Sequence, residues 1–213
     1  MYVRFSLATA KEGMSQDALN YFKDVAIPVY DGVSGLLGLA ACIASNGQLM
    51  AWTTWANKEA KEAAMDEFNK NVSGMMDYLT EPPTHMEGPM VAGQQYTMVP
   101  KDGGDGFFAR FVIGAGAKEG KTYDDVAEFM TNTVYPAYEK VDGIYASAAC
   151  KVDDSNGFSF NFWKDHDAAH AASDVIASVV ADAVENLIAE EPQELTGQCD
   201  VWKNYVDFPE GKM

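Results

Sequence analysis

The chain has 213 residues, of which 47% are hydrophobic and 12% aromatic, enough for a packed core in one large domain or two of about 100 residues. Its formal net charge is −17, with 6 Lys+Arg against 11 Asp+Glu in residues 1–100 and 9 against 21 in residues 101–213. Such a surface repels phosphate backbones and anionic lipid, so nucleic-acid and membrane partners are disfavoured, no apolar run reaches the roughly 18–20 residues of a membrane span, and the three cysteines are too few and scattered for a disulfide framework or a zinc site. A cytoplasmic, reducing setting is the simplest expectation.

The first element in chain order is "YVRFSLA" (2–8), a short strand whose apolar residues alternate around Arg4. The N-terminus lacks the long apolar stretch and small-residue cleavage site of a secretory leader and reads as part of this strand. Ser15 is placed as a helix N-cap, and Leu19, Phe22 and Val25 recur at helical spacing until Pro28 interrupts. Gly35 opens a strand, Asn46-Gly47 is a tight-turn signal between two strands, and the second of these ends in Trp55. A long helix is expected from there to Pro82-Pro83, and "MVAGQQYTMV" (90–99) closes the series.

The same series then returns. "PVYDGVSGL" (28–36) matches "PAYEKVDGI" (136–144), "ACIASNGQLMAWTTW" (41–55) matches "ACKVDDSNGFSFNFW" (149–163), and both pairs are 108 residues apart. "FARFVIG" repeats the first strand around Arg110, and Thr122 with Asp125 has capping-box spacing. Pro136 interrupts the next helix, Gly143 and Asn156-Gly157 punctuate the strands, and "CDVWKNYVDF" (199–208) ends the copy. A period this long marks a duplicated domain, not a stacked solenoid. The expectation is βαββαβ twice, residues 1–100 and 101–213, joined by the polar, glycine-rich "KDGGDG" (101–106). Helices on one face of a four-stranded sheet leave the other face bare, so the two sheets are expected to pack bare face to bare face.

The segments "ARFVIGAGAKEG" (109–120), "YPAYEKVDGIYAS" (135–147) and "FNFWKDHDAAHAAS" (160–173) resemble the dimeric α/β barrel superfamily, most of all its antibiotic-biosynthesis-monooxygenase branch. The resemblance covers the second half directly and the first half through the repeat. It implies an α+β fold: two ferredoxin-like repeats forming, within one chain, the barrel that the family usually builds from two subunits. A monomer or weak homodimer is the matching expectation. The resemblance implies three functions: a cofactor-free monooxygenase-like enzyme acting on a small aromatic or enolisable anion between the sheets, a non-catalytic small-molecule-binding or stress-response protein, or a haem-binding or haem-degrading protein. It implies no cofactor for the first, and fold alone does not choose among them. Family members with a histidine on the second helix often place it about nine residues after the Trp. Positions 64 and 172 are both Ala here, which counts against haem.

Candidate ligand-binding residues follow from side-chain chemistry. Arg4 and Arg110 are the only arginines among 15 Lys+Arg and occupy equivalent places. Guanidinium suits a partly buried fork that holds an anion, or a structural ion pair. Strand alternation is taken to send Val3, Phe5 and Leu7 to the helices, and Arg4 and Arg110 into the space between the sheets. Ser159, Asn161 and Trp163 share one face of "FSFNFW" and Trp55 matches Trp163, a polar and aromatic surface suited to a flat ligand, with the second half favoured. His166 and His170, at i, i+4 on one helical face, complete the ligand-binding candidates, with His170, seven residues after Trp163, the residue a haem reading would use; a zinc motif needs Glu after the first His and a third ligand, so no metal is expected.

Overall fold

The computed structural model describes residues 1–99, 106–114 and 116–213, leaving aside the side chain of Glu67. The expected linker therefore lies, except for Gly106, outside the described residues. The first half runs β1 (Tyr2–Ala8), α1 (Ser15–Tyr21), α2 (Ile27–Tyr30), β2 (Leu36–Ile43), β3 (Leu49–Trp55), α3 (Lys58–Asn71) and β4 (Thr84–Gln95). The second runs β5 (Phe107–Ile113), α4 (Tyr123–Phe129), α5 (Tyr135–Tyr138), β6 (Ile144–Lys151), β7 (Gly157–Trp163), α6 (His166–Asn186), β8 (Gln193–Cys199) and β9 (Val201–Asn204), with a short β10 (Gly211–Lys212). The same order runs twice. Ser15, Leu36, Leu49 and Lys58 begin their elements 108 residues before Tyr123, Ile144, Gly157 and His166 begin theirs.

Local chemistry explains most boundaries. Thr122 forms the expected capping box with Asp125. Ser15 instead begins the helix proper behind Met14, whose side chain caps nothing. Pro28 and Pro136 do not end their helices. Each sits in a last turn reached through a π-helical turn (Phe22–Ala26 and Met130–Val134), which accommodates the missing amide proton. Gly35 and Gly143, at φ +80° and +86°, let α3 and α6 approach: a Cβ would meet that of Ala60 or Ala168 at 2.6 or 2.8 Å. α3 stops at Asn71, short of the expected proline, and gives way to a 3-10 turn over Ser73–Asp77, whereas α6 runs unbroken to Asn186.

The closing strands begin earlier than expected, directly after the prolines, and change partners midway. β4 pairs with β1 from Thr84 to Pro89 and with β6 from Met90 onward. β8 pairs with β5, and after Asp200 the chain continues as β9 on β2. The hydrogen-bonded path is β8-β5-β7-β6-β4-β1-β3-β2-β9, and its two ends are one residue apart in the chain. The sheet therefore curls into a nearly closed antiparallel barrel with helices outside. At the β4 switch, a Cβ on Gly88 would lie 1.7 Å from the Lys151 carbonyl oxygen, so only glycine lets the strand cross there.

One core fills the barrel and mixes residues of both halves, among them Phe5, Trp52, Phe107, Phe111, Phe160 and Trp202. Phe5 stacks on Phe111 with ring centroids 4.3 Å apart. Two further cores lie between the barrel wall and the helices, one around Tyr30 and Trp55, the other around Tyr138 and Trp163. The alternation of β1 and β5 is thus the reverse of the expected one. Val3 and Phe5 point into the barrel and Arg4 points to the helices. The interior of a small closed barrel must be packed solid with side chains, and the phenylalanines supply that bulk. No described helix is long and apolar enough to cross a membrane.

Candidate functional site

A cavity of about 240 Å³ lies in the first half, between the outer face of the barrel and the helices. Its floor is the outward row of β1 (Arg4, Ser6, Ala8) with Ala51 and Thr53 of β3. Ala18, Phe22 and Tyr30 form one wall and Phe68 another, with Met75, Met76 and Leu79 over one end and His85 of β4 at the mouth. Two features leave this space open. The lining is rich in small residues (Ala8, Ala18, Ala26, Ala41, Ala51), and the chain turns away at Val72–Gly74 instead of continuing α3. Tyr30 stacks on Phe68 at 4.1 Å and meets Trp55 edge-on at 6.0 Å, so a flat aromatic wall faces the cavity.

The polar end is built by strand register. Arg4 stands beside Glu87 and Thr53, and Ser6 beside His85 and Ala51. Glu87 accepts a 2.6 Å hydrogen bond from the buried Lys61 and a 3.4 Å bond from the Tyr2 hydroxyl. Burial pushes the Glu87 carboxyl up, but the hydrogen bond and charge of Lys61, then Arg4, outweigh it and hold it below the usual range. Burial, then Glu87, pushes Tyr2 up to about 12. Lys61 and Glu87 therefore neutralise each other. The Arg4 guanidinium has five N–H groups. Nη1 donates to Met65 Sδ, Nε is 3.7 Å from Glu87 and has no hydrogen-bond partner among the described residues, and Arg4 lines the cavity. His85 is exposed on its solvent side, and its Nδ1 is hydrogen-bonded to Ser6 Oγ at 2.9 Å. Partial burial, then the Arg4 charge, pulls its pKa down to about 4 against the opposing pull of Glu87, so the ring is neutral at pH 7.

The second half arranges the equivalent residues differently. Arg110 is buried and donates from Nη2 to the Ala169 carbonyl oxygen at 3.1 Å and to Ser173 Oγ at 2.8 Å, with Glu194 3.7 Å from Nε. Asn161 and Trp163 are buried in the same layer, and Asn161 Oδ1 and Trp163 Nε1 lack hydrogen-bond partners among the described residues, whereas Trp55 Nε1 donates to Thr53 Oγ1 at 2.8 Å. Tyr123 and Tyr135 occupy the positions of Ser15 and Ile27. A Cβ on Gly157 would meet the Tyr123 ring at 2.1 Å, which measures how fully that ring takes the space.

Of the residues singled out by sequence, the cavity takes Arg4, and Trp55 backs its aromatic wall. Arg110, Ser159, Asn161 and Trp163 lie on the helix side of the other half. Neither arginine enters the space between the sheets, which is mostly filled core with a cavity of about 50 Å³ left among Trp52, Phe107, Phe160 and Trp202. His166 and His170 are exposed on α6, His166 edge-on to Phe108, and neither lines the cavity, so a haem there would find no ligand in His170. The repeat pointed to Thr53, the counterpart of Asn161, while sequence reasoning missed Ser6 and His85. Its one available signal for them was the alternation of β1, which puts Ser6 on the face of Arg4.

No family model matches the chain, and no curated protein does. Solved structures do. A candidate monooxygenase from Fusobacterium nucleatum superimposes with a TM-score of 0.78 at 13% identity, over 98% of this chain and 97% of that one. A candidate monooxygenase from Lactobacillus acidophilus gives 0.72 at 10% identity, over 97% of each chain. An anthrone oxidase-like protein gives 0.67 at 13% identity, over 95% of this chain and 92% of that one. The chain therefore has the dimeric α/β-barrel fold of monooxygenase-like proteins.

Proposed function

We propose that the first-half cavity binds a small, flat, mostly apolar anion and that the chain acts on it as a cofactor-independent monooxygenase. The observation that carries this reading is the contrast between the two arginines. Nε of each stands 3.7 Å from a carboxylate, but Arg110 Nη2 donates to Ala169 and Ser173 of its own half, whereas Arg4 Nη1 meets the weak acceptor Met65 Sδ and Arg4 lines an apolar cavity beside the paired Lys61 and Glu87. A partly buried guanidinium beside a weak acceptor is a ready anion holder. At about 240 Å³ the cavity is below the roughly 300–1,000 Å³ of drug-sized ligand pockets, which favours a compact substrate.

The chemistry suits a phenol or an enolisable ring ketone. Loss of a proton leaves an electron-rich anion, whose charge Arg4 stabilises next to the Tyr30–Phe68 wall. Dioxygen takes the electron pair. A ring CH2 then becomes a carbonyl, with one oxygen atom retained and the other leaving as water. Apolar walls keep bulk water from the anion. In this reading residues 1–100 and 101–213 are fused repeats that complete one barrel, and the chain works as a monomer.

The test is oxygen uptake with electron-rich phenols, quinols and enolisable ring ketones. Arg4→Ala is expected to reduce it by roughly 10²–10³-fold, the scale of losing one charge-stabilising donor, and Arg110→Ala to leave it nearly intact in the folded fraction. Equal uptake by wild type and Arg4→Ala overturns the reading. Ligand-induced thermal stabilisation without uptake assigns the protein to the non-catalytic binding class.

A further inference from the structure

Any reaction that begins by removing a proton from a ligand in this cavity needs somewhere to send it. The Arg4 guanidinium has only donors, the Lys61 and Glu87 charges are paired with each other, and Tyr2 is pushed up to about 12, so none of them is a ready acceptor. One pair on the cavity surface is different. Ser6 and His85 both line the cavity and are hydrogen-bonded at 2.9 Å, though 79 residues apart. Ser6 is half-buried on the floor next to Arg4, and His85 is exposed at the mouth. The pair reaches from the anion-holding end of the cavity to solvent.

We propose that Ser6 and His85 form a proton path that takes the ligand's proton out of the cavity to water. The ligand O–H or C–H bond breaks and its proton goes to Ser6 Oγ. The Ser6 hydroxyl proton passes in concert to His85 Nδ1, and the imidazolium releases its Nε2 proton to water. One proton leaves the cavity, the electron pair stays on the ligand, and Ser6 and His85 end as they began once His85 returns to its starting tautomer. The charged groups around His85 fit a relay better than a store. Arg4 and Lys61 disfavour the imidazolium, and Glu87, which favours it, does not outweigh them and the partial burial, so a proton that arrives does not stay.

This inference rests on the anion-binding reading of the same cavity, and its test separates the two. The probe is 2-naphthol, a flat phenol that becomes a strong acid when excited and emits at a longer wavelength after losing its proton. Bound 2-naphthol is expected to show naphtholate emission in the wild type. Read on probe-saturated protein, Ser6→Ala and His85→Ala are expected to restore emission from the neutral form of the bound probe, and added imidazole to recover the signal in His85→Ala. Lowering the pH through about 4 should suppress naphtholate emission in the wild type as His85 becomes charged. Naphtholate emission unchanged in both variants overturns the path, and so does its absence from bound probe in the wild type. A wild type that does not take up the probe removes the binding reading and the path together. Proton transfer without oxygen uptake, on any phenol or quinol, leaves the path standing and removes the oxygenase.

Discussion

The two halves share strands, helix starts and a basic residue at one place in the first strand, yet one encloses a cavity and the other a packed layer. The difference lies in a few positions. Ser15 against Tyr123 and Ile27 against Tyr135 decide whether aromatic rings enter the space between barrel and helix. Leu49 against Gly157 decides whether there is room for the first of those rings. A helix that breaks at Val72 stands against one that runs to Asn186. Lys61 against Ala169 decides the fate of the nearby carboxylate: Glu87 is taken by lysine, while the backbone of Ala169 takes Arg110. A repeated fold can thus pack one half and leave a cavity in the other, around the same arginine position.

The largest test of that comparison exchanges fillings. Tyr123→Ser places the first-half residue in the second half. Tyr123 is buried and burial pushes its hydroxyl up, so its loss is expected to cost about 3–5 kcal/mol in urea unfolding, the range for removing a large buried aromatic side chain. The reverse exchange, Ser15→Tyr with Leu49→Gly, should close the first cavity and abolish thermal stabilisation by 2-naphthol while the protein stays folded. Retained ligand stabilisation in that double variant would show that these positions do not set the difference.

Next in size is the arginine pair. Arg110→Ala strips two hydrogen bonds to a buried charge and is expected to cost about 2–3 kcal/mol. Arg4→Ala should cost under about 1 kcal/mol, because Glu87 keeps Lys61, yet it should remove ligand binding. Equal stability losses would put both arginines in one structural role. Smaller again is the tryptophan pair. Thr53→Val leaves Trp55 Nε1 buried without its partner and should cost about 1–3 kcal/mol, whereas Asn161→Leu, which removes an oxygen that has no partner, should be close to neutral.

The fold was legible because its signals are local. Asn46-Gly47 and Asn156-Gly157 fixed two hairpins, the Trp endings fixed two strands, and a common spacing fixed their correspondence. The site was half legible. Arg4 stood out by scarcity, but alternation only divides a strand into two faces and does not say which one meets the helices. Phe5 and Phe111 belong inside because barrel closure makes the interior the more enclosed side, and closure depends on β4 and β8–β9 changing sheets. Nothing local announces that exchange except Gly88, whose reason is a carbonyl 63 residues away in the chain, on Lys151. Ser6 and His85 were invisible for the same reason: register over 79 residues, not a motif, makes them a pair.

The smallest expected effect is on stability against pH, and it also separates the halves. His85 has an ordinary pKa of 6.5 when unfolded and about 4 when folded. Below pH 6.5 the unfolded chain takes up a proton that the folded chain resists, so this contribution to stability is present above 6.5 and is lost as pH falls from there through about 4. The ring is exposed on one side, which keeps the effect small. In unfolding series at pH 7, 6, 5 and 4, the decline should be shallower in His85→Gln than in wild type. The second half has no counterpart of this ring, because Val112 pairs with Glu194 where Ser6 pairs with His85. A steeper decline in His85→Gln would reverse the sign argued here. It would mean that the folded protein favours the charged ring, and that the mouth of the cavity stores a proton instead of passing it on.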